Sequence, residues 1–173
     1  MRLARLKTLL LPTILAVVTG CASVPMESAD NNLNAKAFPT PEPGKAGLYI
    51  YRDSFAGKAL KRDIYLDGTC LGPTADKVFF YTQVDGDRTH TISTETEFSH
   101  NHLRLDLYAG KNYFVRQTIK VGVFTGGAGL EAVSEAEGKR VISKPDVSRA
   151  AMPGKCASPF VKLAPSPGAE QRP

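Results

Sequence analysis

The chain has 173 residues, with 22 Lys and Arg against 17 Asp and Glu and a formal net charge of +5. Three of the basic residues and none of the acidic ones lie in residues 1–20, so the remainder carries 19 basic and 17 acidic side chains. Nucleic-acid-binding proteins need a basic stripe, and this remainder has none. The composition therefore argues against nucleic-acid binding, and the length predicts one domain of modest core.

The first twenty residues have the parts of an export signal. Arg2, Arg5 and Lys7 precede an apolar run at residues 9–18, and small residues follow it. The run is too short to span a bilayer, which takes about 20 apolar residues. Residues 1–20 are therefore predicted to be a cleaved signal peptide.

The motif Val18-Thr19-Gly20-Cys21 ends this segment and resembles the lipobox of bacterial lipoproteins. The resemblance implies that Cys21 becomes the mature N-terminus and carries thioether-linked diacylglycerol and an N-acyl chain such as palmitate. An ordinary secretory signal with a chance cysteine is the alternative. Ala22 follows, and by similarity to enterobacterial lipoproteins the lack of Asp there favours the outer membrane, with the domain facing the periplasm.

The chain has three cysteines. With Cys21 assigned to lipid, Cys70 and Cys156 remain as a pair in an oxidising compartment, where disulfides form and persist. A bridge between them is the favoured interpretation, and two free thiols are the alternative. A zinc site is disfavoured, because the two residues lack the close spacing of cysteine ligands.

Composition divides the mature chain into three parts. Residues 21–43 have little apolar periodicity and end in a proline-rich stretch, which predicts a flexible tether from the lipidated cysteine. Residues 148–173 are rich in proline and poor in large apolar side chains, which predicts a mobile C-terminal tail. Residues 44–147 remain as the folded domain.

Residues 44–147 contain short β-branched and aromatic segments separated by turn signals. Asp67-Gly68 is a strong hairpin signal, and Ser134 and Glu137 fit a capping box that predicts a short helix over residues 134–142. The pattern predicts an all-β fold, a small antiparallel β-sandwich of about seven strands with one short C-terminal helix and disordered ends; a small barrel is the alternative. The predicted strands cover residues 47–52, 63–66, 78–84, 89–95, 102–107, 112–120 and 130–133.

Five stretches along these strands carry a resemblance to a known family: Leu48-Tyr49-Ile50-Tyr51-Arg52, Ile64-Tyr65-Leu66-Asp67-Gly68 with Gly72, Phe79-Phe80-Tyr81, His90-Thr91-Ile92 and Ala109-Gly110-Lys111-Asn112-Tyr113-Phe114-Val115-Arg116. In order and spacing they resemble bacterial lipoproteins with an uncharacterised domain, domain of unknown function 2846. The resemblance covers about residues 44–144 and implies a small β-sandwich on a lipid anchor. No catalytic set belongs to the family, so none is carried over.

Three histidines are the weak candidates for a metal site. His100 and His102 are two residues apart, and His90 on a neighbouring strand would be a third ligand. No carboxylate or thiol stands beside them in a recognisable ligand spacing. The favoured prediction therefore has no metal, and His90 is expected to bond to a turn.

Residues 127–132 fit the pattern G-x-G-x-x-A, and Asp146 follows at nearly the distance of a dinucleotide site. Such a site needs a strand, a tight loop and a helix N-terminus in a parallel sheet. An all-β chain does not supply that context, and glycines of a hairpin between residues 119–124 and 130–133 explain the pattern better. No nucleotide and no cofactor are therefore predicted.

Aromatic residues occupy both sides of two predicted strands. Tyr49 and Tyr51 share one side of their strand, Phe79 and Tyr81 share one side of theirs, and Phe80 points oppositely. One set must fill the core. The favoured prediction is that the other set forms a partly solvated face, and a surface that stacks on a sugar or contacts a partner protein is the alternative.

Together these patterns predict a non-enzymatic lipoprotein that is held in the cell envelope by Cys21 and binds an envelope protein or glycan. Two alternatives remain open. A hydrolase of cell-wall glycan would need two carboxylates facing each other across a cleft. A metal-binding lipoprotein would use His90, His100 and His102.

Overall fold

The structure is a computed structural model that describes residues 23–54, 56–95, 100–120, 127–152 and 154–157. The predicted signal peptide, the predicted lipidation site Cys21 and the tail after residue 157 lie outside the described residues. Within them the elements are, in chain order, α1 (Ala29–Lys36), β1 (Lys45–Arg52), β2 (Arg62–Leu66), β3 (Thr69–Thr74), β4 (Val78–Asp85), β5 (Arg88–Glu95), β6 (His100–Leu107), β7 (Asn112–Lys120), β8 (Gly127–Val133), α2 (Glu135–Ile142) and β9 (Ser148–Arg149).

The strands form two sheets. Sheet I has the order β8-β7-β1-β4-β9, and sheet II has the order β3-β2-β5-β6. The predicted fold class is confirmed, since the described chain is mostly strand in two sheets with two short helices. Sheet I departs from a purely antiparallel arrangement, because β1 runs parallel to β7 and β4 runs parallel to β9.

The hairpin between β2 and β3 follows from local chemistry. Asp67 and Gly68 connect the two strands, with φ angles of 49° and 82°. A two-residue turn with positive φ at both positions matches the right-handed twist of the strands it joins, and Asp-Gly is a favoured sequence for it. The predicted turn is confirmed, and the segment after it is a full strand, β3, which the sequence analysis did not count.

The main core lies between the sheets. Side chains alternate across a strand, so Leu48 and Ile50 of β1 face sheet II together with Phe80 of β4. Ile64 of β2 and Ile92 of β5 meet them from the other side, and all five are at most 1% exposed.

The opposite side of sheet I is also buried. Tyr49 stacks on Tyr81 and Phe114, with ring centroids 4.4 and 4.9 Å apart. These rings and their aromatic neighbours on β1 and β4 are covered by α1, α2 and the segments beside them; the covering residues are Ala35, Phe38, Val141, Ile142 and Val147. The predicted partly solvated face is therefore wrong, and so is the alternative of an aromatic face available to a ligand, because α1 and α2 cover these rings and no sequence pattern predicted α1.

The segment predicted to be a flexible tether is, from residue 23 onward, part of the folded domain. Val24 is 8% exposed and belongs to the core between the sheets. Ser28 caps α1 by accepting a hydrogen bond from the Asn31 amide at 3.2 Å. Ala35 is 1% exposed, and its carbonyl oxygen accepts a hydrogen bond from the Tyr49 hydroxyl at 2.9 Å. Hydrophobic periodicity does not predict this helix, because Ala35 is its one buried residue.

The domain also continues past residue 147, where the C-terminal tail was predicted to begin. β9 pairs with the start of β4, and the Gly154 amide donates to the Leu71 carbonyl at 2.8 Å. Cys70 and Cys156 form a disulfide with a Cα–Cα distance of 6.0 Å. The predicted bridge is confirmed, and it fixes the segment 154–157 to β3.

The predicted C-terminal helix is confirmed as α2. Ser134 is its N-cap and accepts a hydrogen bond from the Glu137 amide at 3.2 Å. Neither helix among the described residues has the length and apolar character needed to cross a membrane.

Candidate functional site on the outer face of sheet II

Polar side chains gather on the outer face of sheet II, which points away from the core. Ser93 of β5 lies opposite Tyr65 of β2 on one side and His102 of β6 on the other. Residues two positions apart on a strand share a face, so Asp63 and Glu95 lie on the same face. We call these five residues, Asp63, Tyr65, Ser93, Glu95 and His102, the outer cluster.

Hydrogen bonds connect the outer cluster. The Ser93 hydroxyl lies 2.7 Å from Nδ1 of His102, and the Glu95 carboxylate accepts from the Asp63 amide at 3.3 Å. Oδ2 of Asp63 accepts from the Ala157 amide at 2.6 Å. Asp63, Tyr65 and Ser93 are at most 3% exposed. Three of the five residues of the outer cluster are therefore buried, and Asp63 joins sheet II to the C-terminal segment.

The electrostatics of the outer cluster favour neutral Tyr65. Burial disfavours the phenolate, the carboxylates of Asp63 and Glu95 add to the effect, and together they raise the pKa of Tyr65 to about 12. At neutral pH Tyr65 is therefore a hydrogen-bonding phenol and not a base or nucleophile. With a carboxylate of the cluster bonded to the backbone, the arrangement is suited to holding chain segments together.

His90 lies outside the outer cluster. In the register of β5 with β6, His90 pairs with Leu105 and Ser93 pairs with His102. Positions 90 and 93 differ by an odd number, so His90 and His102 point to opposite faces of sheet II. Nδ1 of His90 is 2.6 Å from the Asp67 carboxylate, and Nε2 is 2.9 Å from the Asp85 carbonyl. The expectation that His90 bonds to a turn is confirmed.

The histidines proposed as metal ligands are thus not assembled into a site. His90 and His102 lie on opposite faces, and His100 pairs with Glu95 in the backbone register while its side chain lies outside the described residues. Within the described ranges no group of three His, Cys, Asp or Glu side chains is arranged to hold a metal ion. Sequence spacing suggested the trio because it does not reveal the register between strands.

The glycine pattern at residues 127–132 lies within β8, which runs antiparallel to β7. A dinucleotide site would instead need these glycines in a loop at the N-terminus of a helix. The structure therefore gives the pattern a role in strand pairing. The predicted pairing of residues 119–124 with residues 130–133 is wrong, because residues 130–133 pair with residues 114–117. Gly127 and Gly129 lie inside β8, and residues 121–126 lie outside the described residues.

An ion network joins elements that are distant in sequence, and the sequence analysis did not predict it. Asp53, whose side chain is 14% exposed, accepts from Lys77 and from Lys144, the latter at 2.6 Å. Burial raises the pKa of Asp53, but the two lysine contacts outweigh it, so the net pKa lies below its ordinary value. Nζ of Lys36 donates to the Lys144 carbonyl at 2.8 Å and connects α1 to this network. No local motif signals it.

Hydrogen bonds between side chains also cross the main core between the two sheets. Gln117 of β7 is fully buried, and its Nε2 donates to Oγ1 of Thr94 in sheet II at 2.7 Å. Its Oε1 contacts Oγ1 of Thr74, also in sheet II. Buried amides are costly unless they are hydrogen-bonded, so this bridge fixes the relative position of the two sheets.

Comparisons with known proteins identify a family and a relative of this chain. Residues 42–128 match the family described as "Protein of unknown function (DUF2846)". This chain belongs to that family. The DUF2846 match extends from just before β1 to the start of β8, and it therefore includes strands of both sheets. A protein of Haemophilus influenzae with the name "Uncharacterized protein" is 54% identical over 128 residues, which cover 74% of this DUF2846 chain and 76% of the relative.

Proposed function

We propose that this protein is a lipid-anchored, non-enzymatic component of the cell envelope whose β-domain binds another envelope component. The observation that carries the proposal is the use of its three cysteines. Cys70 and Cys156 are bridged, which is typical of proteins that fold in an oxidising compartment. Cys21 then remains for lipid attachment, directly after an export-signal pattern that ends in a lipobox-like motif.

A binding role, in contrast to catalysis, is supported by what the polar side chains do. His90 contacts the β2–β3 turn and the end of β4, Asp63 contacts the C-terminal segment, and Asp53 contacts two lysines. Each of these groups stabilises the fold through short contacts. The proposal therefore assigns them structural roles and assigns function to the surface.

A protein partner is favoured over a glycan. Sugars are commonly held by stacking on exposed aromatic rings, and the aromatic layer of sheet I is covered by the helices of the same chain. Among the described residues Tyr108, at 54%, is the large aromatic side chain that is exposed. We therefore propose that the bound component is a protein of the same membrane or of the adjoining periplasm.

The anchor is tested with wild-type protein and a Cys21→Ser variant expressed with the native leader. We expect the wild type in the membrane fraction, with an intact mass that includes diacylglycerol and an acyl chain. Cys21→Ser should lack this added mass. A Cys70→Ser/Cys156→Ser variant is the matched control, and it should keep the lipid. An unmodified wild-type N-terminus would contradict the proposal.

The binding role is tested by in-cell cross-linking of the wild type and of a second lipoprotein of similar abundance. We expect one protein to be enriched reproducibly with the wild type and not with the control lipoprotein. Cross-links that are the same for both lipoproteins would contradict a specific binding function.

A hydrolase of cell-wall glycan is the second candidate, and one observation favours it. Asp63 and Glu95 are carboxylates on the same face of sheet II, and a pair of carboxylates is one of the requirements of acid–base hydrolysis. The test compares the release of fragments from purified sacculi by wild type and Glu95→Gln, both verified as folded. We expect no release by either. Release by the wild type that the variant loses would replace our proposal with this one.

A further inference from the structure

We propose that the domain is held directly against the bilayer by the edge that contains residues 25–26, β9 and α1. The inference rests on the proposed lipidation of Cys21, and it replaces the freely reaching tether that the sequence predicts. Its basis is the point at which the chain becomes fixed to the domain.

The chain is fixed from Val24 onward. Val24 is buried in the core between the sheets. The Pro25 carbonyl accepts from the Ala151 amide at 3.0 Å, Met26 pairs with Ala150, and the Glu27 amide donates to the Arg149 carbonyl at 3.0 Å. These contacts continue directly into the cap of α1, so the segment that follows is part of the domain.

The anchor is therefore close. Cys21 and Val24 are three residues apart, and a fully extended chain spans at most about 3.3–3.6 Å per residue, or about 11 Å in all. A flexible tether over residues 21–43 would instead have an r.m.s. reach of roughly 25 Å. The short connection keeps the point at which the chain joins the domain within about 11 Å of the lipidated cysteine.

Two exposed apolar side chains lie close to this point in the sequence. Among the described residues three large hydrophobic side chains are exposed, and two of them, Met26 at 44% and Leu33 at 65%, follow the anchor within twelve residues. Lone exposed apolar residues need no explanation, but here the lipid is attached to the same segment. We therefore assign Met26 and Leu33 to the membrane interface and call them, with β9, the membrane edge.

Tyr108, the third exposed hydrophobic residue, lies elsewhere. It follows β6 near the start of β1, where the Gly110 amide donates to the Lys45 carbonyl at 2.8 Å. β9 pairs with Val78 and Phe79, which lie opposite the far end of β1. Tyr108 is therefore expected to stay in water, and it serves as an internal reference.

The experiment uses the absence of tryptophan from the chain. Leu33→Trp and Tyr108→Trp each introduce a single tryptophan at an exposed position, so both variants should fold. The lipidated proteins are reconstituted in phosphatidylcholine vesicles with and without brominated acyl chains, which quench tryptophan at the membrane. We expect several-fold stronger quenching for Leu33→Trp than for Tyr108→Trp. A Gly-Ser linker of about 20 residues between Ala22 and Ser23, with a reach of roughly 25 Å, should remove the difference.

The outcomes separate this inference from the proposed function. Intact mass is measured first, and an unmodified Cys21 would contradict the lipid anchor itself. Lipidated protein with equal quenching at the two positions would contradict the membrane edge alone. Quenching that survives the linker would show that the short connection does not set the orientation. Shielding of Leu33→Trp that depends on protein concentration and not on lipid would indicate a second copy on this surface and would overturn the inference.

Discussion

Gly138 stands in the middle of α2, where glycine is less favourable than alanine by about 1 kcal/mol. Its backbone lies against Phe114, and a Cβ added to it would be 2.3 Å from the Phe114 ring. Glycine at this position lowers the helix propensity of α2, but the missing side chain allows α2 to lie close to sheet I.

Replacement of this glycine should reverse the usual effect of alanine in a helix. We expect Gly138→Ala to lower the free energy of unfolding by about 1–3 kcal/mol, because the added methyl overpacks the contact with Phe114. Urea denaturation at neutral pH measures this. Ala136→Gly, at an exposed position of the same helix, is the control and should cost about 1 kcal/mol through propensity alone. A more stable Gly138→Ala would contradict the packing argument.

The charge on Asp53 should make part of the stability pH-dependent. Its folded pKa is lowered from 3.8, so its contribution is present above that value and is lost as pH falls through the folded pKa. We expect Asp53→Asn to cost about 1–2 kcal/mol at pH 7 and progressively less toward pH 3.

Urea midpoints at several pH values measure that difference. Asp85→Asn, which removes an exposed ion pair with Lys45, is the matched control and should change the pH profile little. A constant effect of Asp53→Asn from pH 7 to pH 3 would show that its charge is not the source of the stabilisation.

The two helices differ in how their sequences relate to their packing. α2 buries Gly138, Val141 and Ile142 at helical spacing and begins with a capping box. α1 has a polar sequence and buries one alanine, yet it covers the rings of sheet I. The small side chain of Ala35 permits this contact, because the residue lies against Tyr49. Its backbone carbonyl oxygen accepts a hydrogen bond from the Tyr49 hydroxyl.

A larger residue at position 35 should therefore detach α1. We expect Ala35→Leu to lower stability by about 1–3 kcal/mol and to accelerate hydrogen exchange at the α1 amides. Ala29→Leu, at the exposed start of the same helix, makes the same chemical change and should stay within about 0.5 kcal/mol of the wild type. Equal effects of the two variants would mean that α1 does not depend on this contact.

At the scale of the molecule, three layers depend on connections between distant parts of the chain. The helices cover one side of sheet I, Gln117 bridges sheet I to sheet II, and the C-terminal segment is fixed to sheet II by Asp63 and by the disulfide. The disulfide is the covalent connection among these, and its two cysteines have a sequence separation of 86.

Loss of the disulfide should be costly because it constrains a long loop in the unfolded chain. The chain-entropy argument gives about 4–5 kcal/mol for a loop of this length. We expect Cys70→Ser/Cys156→Ser to shift the urea midpoint down accordingly. Reduced wild type is the control, and it should resemble the variant. A variant as stable as the oxidised wild type would show that the other contacts of residues 154–157 suffice.

Local sequence patterns predicted the strands of the two sheets other than β3 and β9, together with the Asp67-Gly68 turn and the capped helix α2. These features depend on the alternation of side chains along a strand and on the chemistry of single turns, both of which are local. The bridge between Cys70 and Cys156 was favoured by the number of cysteines and by the predicted export to an oxidising compartment. The lipobox-like motif at Cys21 is also a local signal, and it stays a prediction.

What covers each face of the sheets, and which distant residues meet, depends on the three-dimensional packing of the chain. α1 could not be predicted, since a helix that buries one alanine has no apolar stripe, and β9 has two residues. The opposite faces of His90 and His102 and the lysines around Asp53 depend on strand register and on long-range packing. Local sequence encodes the conformation of a segment, but the partner that buries it is selected by the folding of the entire chain.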